Sequence, residues 1–247
     1  MLQKLEGIVL RTIDYGESGK ILTIFTREKG KIGAVARGAK KPNSRLASVS
    51  QPFTYGYYLC SVSTGLSTLQ QGEIIDSFRH VKEDLFLTAY TSYIVELMDK
   101  SMEERSANPF LFELLLQTMK YIDGGLDAQI LKNIFEIKML SVLGQHLYVD
   151  GCANCGATDG NFAFSLKEQG ILCERCVHLD RSHLKISQRT VRLLRLFLHL
   201  DINRLGNINV KPVTKYELEL CISAFYEEYS GLYLKSKKFL KQMEQLK

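Results

Sequence analysis

Two Cys-x-x-Cys pairs constrain the fold more than any other feature of the sequence. The first pair is followed by 17 residues and then by the second pair, and the four cysteines are Cys152, Cys155, Cys173 and Cys176. Two such turns supply the four thiolates of a closed, tetrahedral structural zinc site. Gly156 and Gly170 permit the tight backbone turns that this arrangement needs. Segments 162–166 and 169–172 are predicted to form a short hairpin over the ion.

Other uses of the four cysteines fit the sequence less well. Two disulfides are the main alternative, but the first residues show no signal-peptide pattern that would indicate an oxidising compartment. A catalytic zinc needs an open coordination position, which four thiolates do not leave. A redox Cys-x-x-Cys motif does not explain two pairs at this spacing. Cys60 and Cys221 lie in apolar contexts and are predicted to be core residues.

Positive charge is concentrated in the first third of the chain. The sequence has 247 residues and a net charge of +5; residues 1–80 hold 11 Lys and Arg against 6 Asp and Glu, and the remainder holds 21 of each. An excess of positive charge on one small unit indicates a polyanionic partner. A basic surface that only contacts solvent is the simpler alternative. No apolar run approaches the ~18 residues of a membrane span, and we expect a cytoplasmic protein.

Residues 1–80 are predicted to form a small β-barrel. Five β-rich segments, 6–14, 20–26, 31–36, 52–62 and 67–78, contain interior glycines, which are typical of strand bulges and corners. Five strands match the OB-fold, with a five-stranded SH3-like barrel as the alternative that periodicity does not separate. The predicted fold class is therefore α+β, with an N-terminal five-stranded barrel followed by an all-helical domain that contains the four-cysteine zinc knot.

The loop after the third predicted strand, residues 37–45, is basic and is expected to be mobile. Glycine, proline and asparagine exclude regular structure there, and lysine and arginine side chains suit phosphate binding. With the neighbouring hairpin, the loop gives the candidate DNA-binding residues Arg27, Lys29, Lys31, Arg37, Lys40, Lys41 and Arg45. Phe53, Tyr55 and Tyr57 alternate along a predicted strand and so share one face, where they either stack on bases or else fill the barrel or pack on the next domain.

Beyond residue 80 the apolar residues recur at helical spacing. The helical pattern runs over 81–120, and Asn108-Pro109 interrupts it so that a second helix is predicted at 109–122. The further predicted helices are 127–148, 188–200, 214–230 and 235–245. Ser187 is a suitable N-cap for the helix at 188–200. We therefore predict a DNA-binding domain at 1–80 and a helical domain at 81–247 with a zinc-binding insertion at 149–183.

One predicted helix, residues 188–200, has a basic stripe. Arg189, Arg192 and Arg195 recur every three residues and lie beside apolar positions, so this face can receive an acidic peptide with an apolar end. A solvated outer helix face is the alternative. Catalysis has little support, because the five histidines are scattered and no nucleotide-binding loop of the GxxxxGK[ST] type is present. We therefore expect a protein that is not an enzyme.

The order of these features resembles that of the bacterial RecO family of recombination mediators. The likeness rests on EGIVL at 6–10, YGES at 15–18, RGAKKPNSRL at 37–46 and the two cysteine pairs in a helical body. The resemblance implies an OB-fold that binds single- and double-stranded DNA and anneals complementary strands. It implies action with RecR, binding of the acidic tail of single-strand-binding protein, and assistance in loading RecA. The implied cofactor is one structural zinc ion.

Two other functions are compatible with the residues. One is a zinc-stabilised adaptor that works through protein contacts and has little intrinsic affinity for DNA. The other is a zinc-dependent nucleic-acid enzyme, which requires an open position on the metal.

Overall fold

The structure, a computed structural model, describes residues 1–206 and 208–245. Position 207 and the last two residues of the predicted helical domain, 246 and 247, lie outside the described residues. The chain divides into two compact units: Met1–Gly124 together with the segment that starts at Ser236, and Gly125–Lys235. Among the described helices, none is both long and apolar enough to span a membrane.

The first unit is built on a closed barrel of five strands. They are β1 (Leu2–Tyr15), β2 (Gly19–Thr26), β3 (Gly30–Ala36), β4 (Tyr55–Ser61) and β5 (Ser67–Asp76), in the order β1-β2-β3-β5-β4 around the barrel. β3 and β5 pair in parallel, and β4 returns to pair with β1. A meander of three strands closed in this way is the topology of an OB-like barrel rather than of an SH3-like one. The predicted fold class is confirmed.

The long first strand lets the barrel close. β1 pairs with β4 from Leu2 to Ile8 and with β2 from Gly7 to Tyr15, and its register shifts between Val9 and Arg11. Such a bulge bends a strand so that it can pair on both sides. The barrel core alternates along the strands, as period-two patterning requires, and includes Leu22 and Ile24 of β2 and Ile32 and Ala34 of β3.

Seven helices are described: α1 (Arg79–Glu83), α2 (Leu85–Ser101), α3 (Pro109–Asp123), α4 (Ala128–Val142), α5 (Gln188–His199), α6 (Pro212–Tyr229) and α7 (Lys235–Glu244). Asp84, Asn108, Asp127 and Ser187 cap α2, α3, α4 and α5 with side-chain oxygens. Such caps satisfy backbone N–H groups that have no partner within the helix. The predicted cap at Ser187 is confirmed.

The second unit combines α4, α5 and α6 with a small sheet that carries the cysteines. Its strands are β6 (Tyr148–Cys152), β7 (Phe162–Ser165), β8 (Gly170–Cys173) and β9 (Leu184–Lys185), in the order β6-β8-β7-β9. The predicted hairpin over the cysteines is present as β7 and β8. Gly170 is required where β8 passes β6, because an added Cβ would lie 2.1 Å from the carbonyl oxygen of Tyr148.

One predicted helix is shorter in the structure. The pattern predicted a helix over residues 127–148, but α4 ends at Val142 and Gly144 follows with a φ of 71°. The N–H of Gln145 then donates to the carbonyl oxygen of Leu140. Glycine in the left-handed conformation is a common helix stop, and the residues after it are free to form β6.

Candidate metal centre and nucleic-acid interface

The four cysteines of the two pairs converge on one point. The Sγ atoms of Cys152, Cys155, Cys173 and Cys176 all lie within 4.8 Å of one another, and those of Cys155 and Cys173 are 3.6 Å apart. Four sulfurs at the Zn–S distance of a tetrahedral site are separated by about 3.8 Å. A disulfide needs about 2.05 Å, so the geometry is that of a metal centre and not of cross-links. All four are free thiols.

Backbone N–H groups favour the thiolate form of one cysteine of this cluster, Cys152. Although burial raises the pKa of Cys152, N–H groups of Cys155, Cys173 and Asn154 lower it to about 6. Asn154 Nδ2 donates to the Sγ of Cys176 over 3.2 Å, yet burial and the three neighbouring sulfurs raise the pKa of Cys176 to about 11. Four thiolates this close repel one another, and a divalent cation between them removes that repulsion. The donor set therefore fits a thiophilic metal ion.

The sheet around the cluster is tied to α5 within the second unit. Arg195 of α5 donates from Nε to the carbonyl oxygen of Val149 over 2.6 Å and from Nη2 to that of Thr158. Its guanidinium also lies 5.3 Å from the ring centroid of Phe162. Arg189 donates to the carbonyl oxygen of Asn209. Of the predicted basic stripe, Arg192 is exposed and has no hydrogen bond or ion pair within the described residues.

Two of the predicted DNA-binding cations are engaged within the first unit. The Arg27 guanidinium donates two hydrogen bonds to Glu6, over 2.8 and 3.0 Å, and one to Glu113 of α3. Lys31 Nζ lies 3.2 Å from a carboxylate oxygen of Asp99 of α2, and only 13% of its side chain is exposed. Both ion pairs hold the barrel to the helices beside it, and their part in DNA binding stays a prediction.

The remaining candidates are exposed. Lys29 lies at the β2–β3 turn, and Arg37, Lys40, Lys41 and Arg45 lie on the loop from β3 to β4. Lys40 pairs with Asp14 over 2.7 Å and lowers the pKa of that carboxyl by a hydrogen bond. Across residues 1–206 and 208–245, no ion pair involves the other four.

The basic loop is a series of turns. The N–H groups of Lys41 and Ser44 donate to the carbonyl oxygens of Gly38 and Lys41 over 3.0 Å. Ala39, between Arg37 and Lys40, and Val49, after Arg45, are buried in the barrel core. Regular structure is absent, as predicted, but the buried residues fix the loop to the barrel so that its cations share one region of surface.

Of the three predicted aromatic residues, Tyr55 and Tyr57 lie on β4 and share the face that carries Glu6, whereas Phe53 is not part of the strand. Phe53 has a φ of 67° and precedes β4. Tyr55 is buried against Phe112 and donates to Glu6 over 2.6 Å. Tyr57 is partly exposed with Lys4 Nζ 4.1 Å from its ring centroid. Tyr55 therefore packs on a helix beside the barrel, which was one of the alternatives to base stacking.

Sequence reasoning missed the acidic partners of the basic residues. Glu6 and Asp99 neutralise cations that are distant in sequence, and Asp99 pairs with Arg11 as well as Lys31. No local pattern marks these pairs, because each depends on how the barrel and the helices pack.

An OB-like barrel, followed by helices and a four-cysteine cluster that fits a metal ion, defines a class of OB-barrel protein. Comparison with known proteins identifies its family. Residues 1–78 match the family model described as Recombination protein O N terminal, and residues 82–238 match Recombination protein O C terminal.

Known proteins with similar sequences match this chain over its full length. It is 56% identical over 247 residues to the DNA repair protein RecO of Bacillus pumilus and 53% identical to that of Bacillus subtilis, with 100% of this chain and 96–97% of the relatives covered. Against the Bacillus cereus protein of the same name, identity is 52% over 99% of this chain and 98% of the relative. The chain belongs to the RecO family of DNA repair proteins.

Proposed function

We propose that this chain is a non-enzymatic, cytoplasmic mediator of recombinational repair that binds single- and double-stranded DNA and anneals complementary strands. In this proposal it acts with RecR and with the acidic tail of single-strand-binding protein to help load RecA onto single strands. The observation that carries the proposal is the set of exposed cations on and beside the barrel, Lys29, Arg37, Lys41 and Arg45, which no carboxylate of the described residues neutralises.

These cations provide a physical mechanism for annealing. Two DNA strands repel one another through their phosphates, and bringing them together requires that this repulsion be lowered. Lysine and arginine side chains do so by displacing counterions from the phosphates, which needs no hydrolysis and no bound nucleotide. We propose that residues 1–80 provide this activity and that residues 81–247, with the insertion at 149–183, provide support and partner binding.

In this proposal the metal is one structural Zn²⁺ ion held by the four cysteines. Zinc accepts four thiolates in tetrahedral geometry, and its fourfold protein coordination leaves no position for a reacting water. Residues Cys152, Cys155, Cys173 and Cys176 then fix the sheet of the second unit, to which Arg195 attaches α5.

The recruitment site proposed for an acidic tail is the basic stripe of α5. Arg192 is its most available cation, since Arg189 and Arg195 already donate to carbonyl oxygens. A tail bound at a separate site raises the local concentration of the protein on coated single strands, which favours loading without tighter DNA contacts.

The test of DNA binding is charge reversal on the loop. We expect Arg37→Glu, Lys41→Glu and Arg45→Glu together to weaken binding of a single-stranded oligonucleotide and to lower the magnitude of the slope of log K against log salt by about 2, since each single-strand phosphate contact contributes about 0.7. The matched control reverses three exposed cations of the second unit, Arg181, Lys185 and Lys211.

The measurements are fluorescence anisotropy across a salt series and the annealing rate of complementary strands. Unchanged affinity and slope in the loop variant would remove the loop from the interface. A wild-type protein without affinity for DNA at low salt would favour the alternative, a zinc-stabilised adaptor.

A further inference from the structure

The outer face of β2 and β3 is where OB-folds generally bind oligonucleotides, together with the β1–β2 and β4–β5 loops. In this barrel Leu22 and Ile24 face the core, so Ile21, Thr23 and Phe25 face outward. The pairing register places Ile21 beside Val35, and Phe25 beside Lys31. The face therefore has one end near the β1–β2 hairpin and the other near the β2–β3 turn.

The end near the β2–β3 turn is covered by the chain itself. Phe25 packs on Phe112 of α3 with ring centroids 5.7 Å apart, and Lys31 pairs with Asp99 of α2. Arg105, after α2, donates to the carbonyl oxygens of residues 63 and 65 in the β4–β5 loop over 2.5 and 2.6 Å. This half of the general ligand face cannot receive DNA while these contacts hold.

The end near the β1–β2 hairpin is open and apolar. Ile13 and Tyr15 of β1 project on one side of their strand and are 51% and 53% exposed. Ile13 pairs across the sheet with Ile21, and Tyr15 pairs with Gly19. The Tyr15 ring lies beside Gly19, where an added Cβ would be 3.7 Å from its Cδ1. One aromatic ring and two aliphatic side chains thus form a small exposed surface, the hairpin platform (Ile13, Tyr15 and Ile21).

The hairpin platform adjoins the basic loop. The N–H of Lys40 donates to the carbonyl oxygen of Ser18 over 2.8 Å, which fixes the basic loop to the β1–β2 hairpin. Lys20 pairs with Asp14 across the sheet, and both project from the face opposite to that of Ile21 and Tyr15, whereas Arg37 directly follows the end of β3. The nearby charges are four cations and two acids: Lys20, Arg37, Lys40, Lys41, Asp14 and Glu17. Lys40 pairs with Asp14, so the charges that remain on the hairpin and the loop are three cations against Glu17, which is a positive balance.

We propose that Tyr15 stacks on an unpaired base of a DNA strand, with Ile13 and Ile21 as its apolar support and the cations of the adjoining basic loop on the flanking phosphates. This inference deepens the proposed DNA binding and rests on it. A nucleotide has a flat apolar base joined to an anionic phosphate. The base can stack on the exposed ring while the phosphate meets the cations of the adjoining loop. In a duplex the base faces are already stacked, so the contact is specific to single strands.

The test compares Tyr15→Ala with Tyr15→Phe in the full-length protein. The probes are a single-stranded oligothymidylate, an abasic strand of equal length and a duplex of the same length. Stacking on an aromatic side chain contributes ~1–3 kcal/mol per base, so Tyr15→Ala should weaken oligothymidylate binding by about 5- to 150-fold. Tyr15→Phe retains the ring and should bind like the wild type, and both variants should bind the duplex and the abasic strand normally.

A matched control is Tyr233→Ala, which removes a tyrosine that is also highly exposed but lies in the second unit. A strand that contains 2-aminopurine gives an independent readout, because stacking on the ring quenches its fluorescence in the wild type and in Tyr15→Phe only. Thermal unfolding checks that the substitutions at this exposed position leave the fold intact.

Three results would overturn the inference. One is unchanged oligothymidylate binding by Tyr15→Ala while the loop reversal still weakens it, which leaves the proposed function standing. Another is an equal loss in Tyr15→Phe, which would indicate a contact through the hydroxyl. The third is an equal loss on the abasic strand, which would place Tyr15 against the phosphates. Absence of DNA binding by the wild-type protein would instead refute the proposed function itself.

Discussion

Replacement of Arg27 by methionine tests whether this cation stabilises the barrel or binds DNA. Its guanidinium makes two hydrogen bonds with Glu6, one with Glu113 and a cation–π contact with Phe112, whose centroid is 4.4 Å away. Methionine preserves most of the aliphatic contact and removes the charge. Glu6 then keeps the hydroxyl of Tyr55 as a side-chain donor but loses its counterion.

The expected cost follows from these contacts. A hydrogen bond to a charged group contributes about 1.5–3 kcal/mol, and the three bonds of one guanidinium do not add in full. Arg27 is also about one-third exposed, so solvent screening lowers the value. We expect Arg27→Met to lower the free energy of unfolding by about 2 kcal/mol, which corresponds to a fall in Tm of about 4–8 °C for a unit of this size.

The pH dependence of this loss has a definite sign. The hydrogen bonds from Arg27 lower the pKa of Glu6 from its ordinary 4.5, despite partial burial. A carboxyl with a lowered pKa contributes stability above its unfolded-state value and loses it as the pH falls through the folded-state value. The difference between wild type and Arg27→Met should therefore be full above about pH 5 and shrink at more acidic pH.

Denaturant unfolding followed by circular dichroism between pH 3 and 8 measures this difference. The control is Arg37→Met, which removes an exposed cation and should leave stability unchanged. Single-strand binding by folded Arg27→Met should remain close to that of wild type, whereas Arg37→Met should bind less tightly. The reasoning is refuted if Arg27→Met has wild-type stability at neutral pH, or if its deficit persists unchanged in acid.

Two further predictions concern the second unit. Chelation of the metal should release the bound ion, lower the Tm and open the four clustered thiols to a thiol reagent, and Cys173→Ser should do the same for the three that remain, as measured by elemental analysis and thiol titration. Burial raises the pKa of Cys60 to about 11 and of Cys221 to about 12, so these two should stay unreactive; four protected thiols without any bound metal would contradict the zinc assignment. For the α5 stripe, Arg192→Glu should abolish binding of an acidic peptide with an apolar end at unchanged Tm, whereas Arg195→Glu should also lower the Tm because it loses the bonds to residues 149 and 158. Retained peptide binding by both variants, measured by calorimetry, would exclude this face.

Local features of the fold were accessible from the sequence. The cysteine spacing predicted one four-sulfur cluster, and the residues between the pairs predicted the hairpin formed by β7 and β8. Strand-like segments separated by turns predicted the five strands of the barrel. The end of α4 could also have been predicted from the sequence, since Gly144 follows the last apolar residues of the helix. The predicted helix was too long because apolar residues continue beyond this glycine to residue 149.

The placement of charge was not accessible in the same way. Arg27 and Lys31 look like Arg37 and Lys41 in the sequence, and all four lie in one basic stretch. Their environments differ because Glu113 and Asp99 come from helices more than 60 residues further along the chain. A count of basic residues along the sequence includes Arg27 and Lys31 as full positive charges. Because carboxylates neutralise them in the fold, these two residues contribute little to the electrostatic field that a DNA strand meets.

The same helices explain why some cations of this basic stretch are paired while others stay exposed. Wherever α2 and α3 cover the β2–β3 face, a cation on that face either meets a carboxylate or is buried without one, and an unpaired buried charge is strongly unfavourable. Arg11, Lys31 and Arg27 accordingly have partners in Asp99 and Glu113. Beyond the helices, Arg37, Lys41 and Arg45 remain solvated and need no partner to be stable. Packing thus divides one basic segment into a structural part and a part available to phosphates, and the second part lies on the loop that is bonded to the β1–β2 hairpin through Lys40 and Ser18.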